Sequence, residues 1–259
     1  MITGFDHVVI AANDADAGAR AYELLLDRKA SLTQDDGVAT ARLATANLVV
    51  EIMAPIGETE AATRLRAALE NGEGLKSLVF AARDLDALHK RADRVGLAPD
   101  AIQTGDGFRR FRADKARTHG ARLFFLEREA PAEALAGDVI GIDHVVVRTP
   151  DPERAAALYG ARLGLDMRLD RELMDRRLMF FRCGDAILEV VRVSSLPQDD
   201  LWGLSWRVKD ADAARTRLAN AGLDVSDVRT GMKPGTRVFT VRNGACGVPT
   251  LMLETAPRA

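Results

Sequence analysis

Eleven residues near the start of the chain, GFDHVVIAAND at 4–14, return almost unchanged as GIDHVVVRTPD at 141–151, a displacement of 137 (141 minus 4). The only two tyrosines, Tyr22 and Tyr159, stand at the same displacement (159 minus 22). A motif and a rare residue that agree on one period mark a duplicated unit, which restricts the fold to architectures that can be built twice. A fainter repeat lies inside each half, LKSLVFAARDLDALHKRADRVGL at 75–97 and WGLSWRVKDADAARTRLANAGL at 202–223.

All four copies read alike. A Val/Ile-rich or aromatic run predicts a strand. The strand stops at an aspartate (Asp14, Asp84, Asp151 or Asp210) whose carboxylate can accept from the free N–H groups of a helix start. Pro152 then occupies a first helical turn, where its missing donor costs nothing. Gly96 and Gly222 supply the left-handed residue that ends a helix. Short β-rich runs follow, at 30–34, 38–45 and 47–54 in the first module and at 100–104, 108–113 and 121–127 in the second. The pattern is strand–helix–strand–strand–strand written four times, an α+β chain. REAPAEALAGD (128–138) reads as the linker, giving expected domains at 1–128 and 139–259. A chain of 259 residues is long enough for both to bury a core.

Composition narrows the function classes. Apolar residues at 47% and charged residues at 29% describe a globular protein. A net charge of −2 offers no footprint for nucleic acid or an anionic membrane. Two cysteines, Cys183 and Cys246, are too few for a disulfide scaffold and fit reduced thiols. No export signal and no membrane-length apolar run is visible, so a soluble cytoplasmic protein is expected.

Four glutamates interrupt apolar strands: Glu51 in NLVVEIM, Glu127 in RLFFLE, Glu189 in AILEVV and Glu254 in TLMLE. Period-two geometry puts Val49, Glu51 and Met53 on one face, and Ile187, Glu189 and Val191 likewise. A carboxylate among such neighbours is costly unless a metal, a histidine or an arginine compensates it. His7 and His144, in the repeated D-H-V-V phrase, are the strand histidines. Structural pairing and ligation are both open on these residues alone.

The D-H-V-V openings, the capped helices with a tyrosine, and strands closing in L-V-V-E, F-L-E, I-L-E-V and M-L-E resemble the vicinal oxygen chelate superfamily, which includes glyoxalase I, extradiol dioxygenases and bleomycin-resistance proteins. The resemblance covers residues 4–127 and 141–255 and implies paired βαβββ modules curled into two half-open barrels, that is, two glyoxalase-like domains. It also implies a divalent metal (Zn, Ni, Mn, Fe or Co) on His144, Glu189 and Glu254, with His7, Glu51 and Glu127 as a second candidate set. Metal-assisted lyase or isomerase chemistry on vicinal oxygens would follow, with Glu254 or Glu189 as base. The alternative is a metal-free protein that sequesters a small molecule. Trp202 and Trp206 would wall the pocket or pack in the core. Arg237 and Arg242, in GMKPGTRVFTVRNGACGVPT (231–250), would grip a substrate anion or stand in solvent. One departure from the family bears on the chemistry. Where it commonly places another histidine, seven residues before the capping aspartate, this chain has Ser77 and Gly203. That disfavours extradiol ring cleavage, which needs two histidines and a carboxylate. His89 is expected on an exposed helix face, His119 in a solvated turn, and Cys246 unreactive. The expected partner is a small molecule, with a homodimer left open.

Overall fold

The structure, a computed structural model, describes residues 1–130, 135–173 and 176–256; the middle of the expected linker, 131–134, lies outside the described residues. The first half runs β1 (Ile2–Ala11), α1 (Ala15–Leu26), β2 (Ser31–Asp35), β3 (Val38–Ala44), β4 (Val49–Pro55), α2 (Glu60–Leu69), β5 (Gly74–Ala82), α3 (Leu85–Arg94), β6 (Gln103–Gly105), β7 (Phe108–Arg112) and β8 (Leu123–Arg128). The second half runs β9 (Val139–Thr149), α4 (Pro152–Ala156, continuing as a π-helix over Ala157–Arg162), β10 (Asp166–Leu173), β11 (Arg176–Cys183), β12 (Ala186–Arg192), β13 (Asp200–Val208), α5 (Ala211–Asn220), β14 (Arg229–Thr230), β15 (Thr236–Val241) and β16 (Thr250–Thr255). Each half forms one eight-stranded sheet. The orders, β2-β3-β4-β1-β5-β8-β7-β6 and β10-β11-β12-β9-β13-β16-β15-β14, are the same permutation. The α+β fold of four βαβββ modules in two glyoxalase-like domains is therefore present. Helix α2 is the addition that the sequence reading lacks. Thr59 caps it, accepting from Ala62 N–H at 3.2 Å, and Ala62 is its buried residue.

The aspartates do what their position suggested. Asp14, Asp84, Asp151 and Asp210 each accept from the backbone N–H three residues on, at 3.0, 3.1, 3.1 and 2.9 Å. Each such cap stabilises its helix by about 1 kcal/mol. Gly96 and Gly222, with φ of 73° and 85°, follow α3 and α5 in the left-handed region where a side chain would be strained.

Packing groups the modules into two compact units. One comprises residues 1–8, 76–132 and 144–202; the other comprises 9–75, 133–143 and 203–259. Each unit thus holds one module from each half. In the first unit Arg91 of α3 donates to the Ala161 and Arg162 carbonyls at 2.9 and 3.2 Å, where α4 and its π-helical continuation end. In the second, Arg217 of α5 donates to the Leu24 and Leu25 carbonyls at the end of α1. These residues correspond through the repeat. The last carbonyls of a helix lack internal partners and sit at its negative end, so one guanidinium satisfies both needs.

The first unit's core includes a file of rings, Phe5, Phe80, Phe125 and Phe111, with successive centroids 5.5, 5.6 and 4.8 Å apart. His89 sets its edge against Phe111 and bonds the Asp100 carbonyl at 2.8 Å, so it is half-buried and not on an exposed face as expected. In the second unit Trp206, Phe239 and Met252 lie in register across β13, β15 and β16 and are fully buried. No helix among the described residues is long and apolar enough to cross a membrane.

Candidate functional site

The four strand glutamates fall into two classes set by strand phase. In β4 and β12 the fully buried side chains are Val50 and Ile52, and Leu188 and Val190, so Glu51 and Glu189 project from the opposite face. In β8 and β16 the fully buried residues include Phe125 and Met252, two positions before Glu127 and Glu254, which share their face.

At the strand ends that face reaches a helix start. Glu127 accepts from the Asp84 and Leu85 N–H groups at 2.6 and 3.4 Å, and Glu254 from Ala211 N–H at 2.8 Å. Arg109 stands 3.7 Å from Glu127, and Arg237 stands 3.4 Å from Glu254. Both carboxylates serve the positive end of the helix that follows their module's first strand.

His144 and Glu189 come together. Nε2 of the imidazole lies 3.1 Å from Oε2 of the carboxylate, with the side chains 17% and 12% exposed. Neighbouring strand registers place Ile187 beside His144, and Val146 and Phe180 beside Glu189. Val146, Leu178 and Val191 are buried there, with Leu173, Phe180 and Val193 packed against them. An imidazole–carboxylate pair beside an apolar cluster is strengthened by the low dielectric and can give or take a proton at one end.

In the first half, Nδ1 of His7 meets Oδ1 of Asp6 at 2.5 Å, and Arg128 grips the same carboxylate through Nε and Nη2 at 2.7 and 2.8 Å. Burial works to raise the Asp6 pKa. The bonds from His7 and Arg128 outweigh it and hold the pKa down at about 2. The corresponding Asp143 of the second half stands 3.8 Å from Arg207, which donates to the Ile142 carbonyl at 3.1 and 2.7 Å. An arginine from another strand therefore stands beside the aspartate of each D-H pair, bonding it directly in the first half. Glu51 faces Arg42 across the β3–β4 ladder, with a separation of 3.4 Å.

The remaining candidates are placed as follows. Trp202 is 38% exposed, with the Arg148 guanidinium 5.3 Å from its ring centroid. Trp206 is fully buried in the core. Arg237 is bound to Asp212 at 2.7 Å as well as to Glu254, and Arg242 to Asp224 at 2.7 Å, so both arginines of the 231–250 stretch already hold carboxylates. Ser77 is buried, and the backbone of Gly203 lies close to the Pro249 carbonyl. His119 is half-buried with a left-handed φ of 60°; burial and the nearby Arg154 draw its pKa down. Burial, with help from Glu73, pushes the Cys246 thiol up to about 11, which suppresses the thiolate. Among the described residues, no group of three His, Cys, Asp or Glu side chains stands close enough to hold a metal ion. Asp6, Arg128 and Arg148 were not candidates from sequence. The one available signal was that an aspartate precedes the histidine in both copies.

A model described as a glyoxalase-like domain matches residues 5–140, more than half of the chain, and one described as the glyoxalase/bleomycin resistance protein/dioxygenase superfamily matches residues 143–240. No curated protein matches the chain. Several solved structures share its fold. A triple variant of 4-hydroxymandelate synthase from Streptomyces coelicolor is 12% identical with a TM-score of 0.77, the match covering 100% of this chain and 95% of that one. An Mn(II)-bound glyoxalase from Novosphingobium aromaticivorans is 16% identical with a TM-score of 0.73, covering 99% and 83%. A halotolerant catechol dioxygenase is 15% identical with a TM-score of 0.70, covering 98% and 87%. At these identities the likeness is one of fold. With both halves matched and the module order repeated strand for strand, the chain belongs to the glyoxalase/bleomycin resistance protein/dioxygenase superfamily and has the vicinal oxygen chelate fold.

Proposed function

We propose that this chain binds a small organic molecule against the β9–β12 face carrying His144 and Glu189. The pair hydrogen-bonds the ligand and exchanges a proton with it, and no three-ligand metal centre is required. The observation that carries this reading is charge balance. Three of the four strand glutamates have a guanidinium of the protein's own, Arg42 for Glu51, Arg109 for Glu127 and Arg237 for Glu254, and Glu189 has the His144 imidazole 3.1 Å away. Carboxylates neutralised in this way do not call for a divalent ion to offset their burial. This is the sequestering mode of the superfamily, with an acid–base pair in the binding face.

A second reading is metal-assisted lyase or isomerase chemistry. What favours it is that Nε2 of His144 and Oε2 of Glu189, only 3.1 Å apart, are two of the three donors that the family resemblance implies. The third, Glu254, would have to leave the N-terminus of α5 and Arg237. Catechol cleavage has the least support, because Ser77 and Gly203 stand where a second histidine would be needed. Equilibrium dialysis of the whole chain against Zn, Ni, Mn and Fe(II), with wild type and His144→Ala in parallel, separates the first two readings. Weak binding that is equal in both proteins is expected. Stoichiometric binding lost in His144→Ala would overturn the metal-free reading in favour of the enzyme.

A further inference from the structure

Strand β10 is an edge of the second sheet, and its residues alternate between two faces. Register sets Leu169 opposite Phe180 and Arg171 opposite Leu178, and carries these two rows on to Glu189 and Val191 of β12. Directly opposed residues share a face, so Arg171 stands on the face that carries Glu189 and His144. Its chain neighbours Asp170 and Glu172 alternate onto the other face, where Asp170 is bonded to Arg177 at 3.0 and 2.7 Å. Arg171 differs from the arginines around it. Arg148 is paired with Asp200, Arg154 with Asp199 and Arg177 with Asp170. Arg171 is half-buried, has no carboxylate partner among the described residues, and holds its Nε buried without an acceptor. A buried donor left unpaired is costly unless something outside the chain completes it. Between Arg171 and Glu189 the surface is apolar: Leu169 is exposed, and Phe180 packs half-buried against Val146, Leu178 and Val191. The two polar residues are two strands and one two-residue step apart, so about 12 Å separates their backbones. A span of about 12 Å, less a hydrogen bond of about 3 Å at each end, fits an apolar body of about six carbons.

We infer that Arg171 holds the carboxylate of the ligand, and that the ligand is a hydroxy or oxo acid with an apolar body of that length. The guanidinium fork takes the carboxylate at two points, the body lies across Leu169 and Phe180, and the far oxygen reaches the His144–Glu189 pair. This rests on the reading that the β9–β12 face binds a small molecule, and it names the class of that molecule.

The test titrates 6-hydroxyhexanoate and its neutral analogue 6-hydroxyhexanamide into the full chain, followed by 1H–15N spectra. Saturable shifts of β10, β11 and β12 signals are expected with the acid, and the amide should bind about tenfold more weakly. Arg171→Gln should bring the acid down to the affinity of the amide and leave the amide unchanged, and Arg171→Lys should recover only part of the loss. Equal affinity for acid and amide, or an acid affinity untouched in Arg171→Gln, would overturn the inference. So would a loss that strikes acid and amide alike, because it would mark an effect of shape and not of charge. His144→Gln separates the inference from the reading beneath it. Acid binding that survives in His144→Gln but is lost in Arg171→Gln upholds the carboxylate site and removes His144 from ligand binding. Acid binding weakened in His144→Gln but unaltered in Arg171→Gln upholds the earlier reading and overturns this one. A wild type that does not bind the acid overturns the inference and leaves the metal dialysis to judge the rest.

Discussion

Replacing Asp6 by asparagine removes one charge and leaves the side chain's shape nearly unaltered. The carboxylate is buried, bonded to His7 and gripped at two points by Arg128, and its pKa is lowered to about 2 from an ordinary 3.8. At about 1.4 kcal/mol per unit, that displacement links roughly 2 kcal/mol of folding stability to ionisation of Asp6. The folded pKa lies below the unfolded one, so this stability is complete above pH 3.8 and is lost as pH falls through 2. Asp6→Asn also takes one carboxylate charge away from Arg128, only 21% exposed, which brings the expected cost at pH 7 to about 2–4 kcal/mol. Urea unfolding of both proteins, followed by circular dichroism at pH 7, 5, 4 and 3, reads the effect. The gap between wild type and Asp6→Asn should hold steady from pH 7 to 5 and narrow below pH 4. Adding Arg128→Leu should restore part of the loss, because a missing pair costs less than half a pair. A gap that stays the same at every pH, or one under about 0.5 kcal/mol at pH 7, would refute the reasoning.

Arg91→Gln and Arg217→Gln should each cost about 1–2 kcal/mol in urea unfolding through the lost bonds to helix-end carbonyls, and the double variant should show their sum, since the two clamps sit in different units. The paired tyrosines should behave differently. Tyr22→Phe loses a 3.4 Å bond to the Ala245 carbonyl and should cost about 0.5–1 kcal/mol. The buried Tyr159 hydroxyl has no acceptor among the described residues, so Tyr159→Phe should leave the thermal midpoint unchanged or raise it.

The fold was legible because its punctuation is chemical and local. An aspartate before an alanine-rich run can be read without knowing the tertiary structure, and all four proved to be caps. The site was less legible because its deciding variable is strand phase. NLVVEIM and TLMLE look alike as strings, yet Glu51 lies opposite the buried Val50 and Ile52 while Glu254 lies on the side of the buried Met252. One residue of phase exchanges the faces of a strand, and no local pattern says which face a distant helix will cover. The ion pair of Arg237 was not legible for a similar reason: its partner Asp212 is 25 residues away in sequence (237 minus 212) and is brought to it by the α5–β15 packing. Helix α2 was missed because Ala62 is its one buried residue, leaving almost no apolar stripe to detect.

The two arginine clamps bear on how such a chain can be divided. Each joins a module of the first half to a module of the second, so a cut in the 128–138 stretch would leave both fragments lacking partners for both packing units. A chain with only two modules could complete both units only by pairing with a second copy. Covalent linkage turns that pairing into an intramolecular one, at an effective concentration on the order of millimolar. The chain carries its own dimerisation partner, and dilution that would dissociate two half-length chains leaves it assembled.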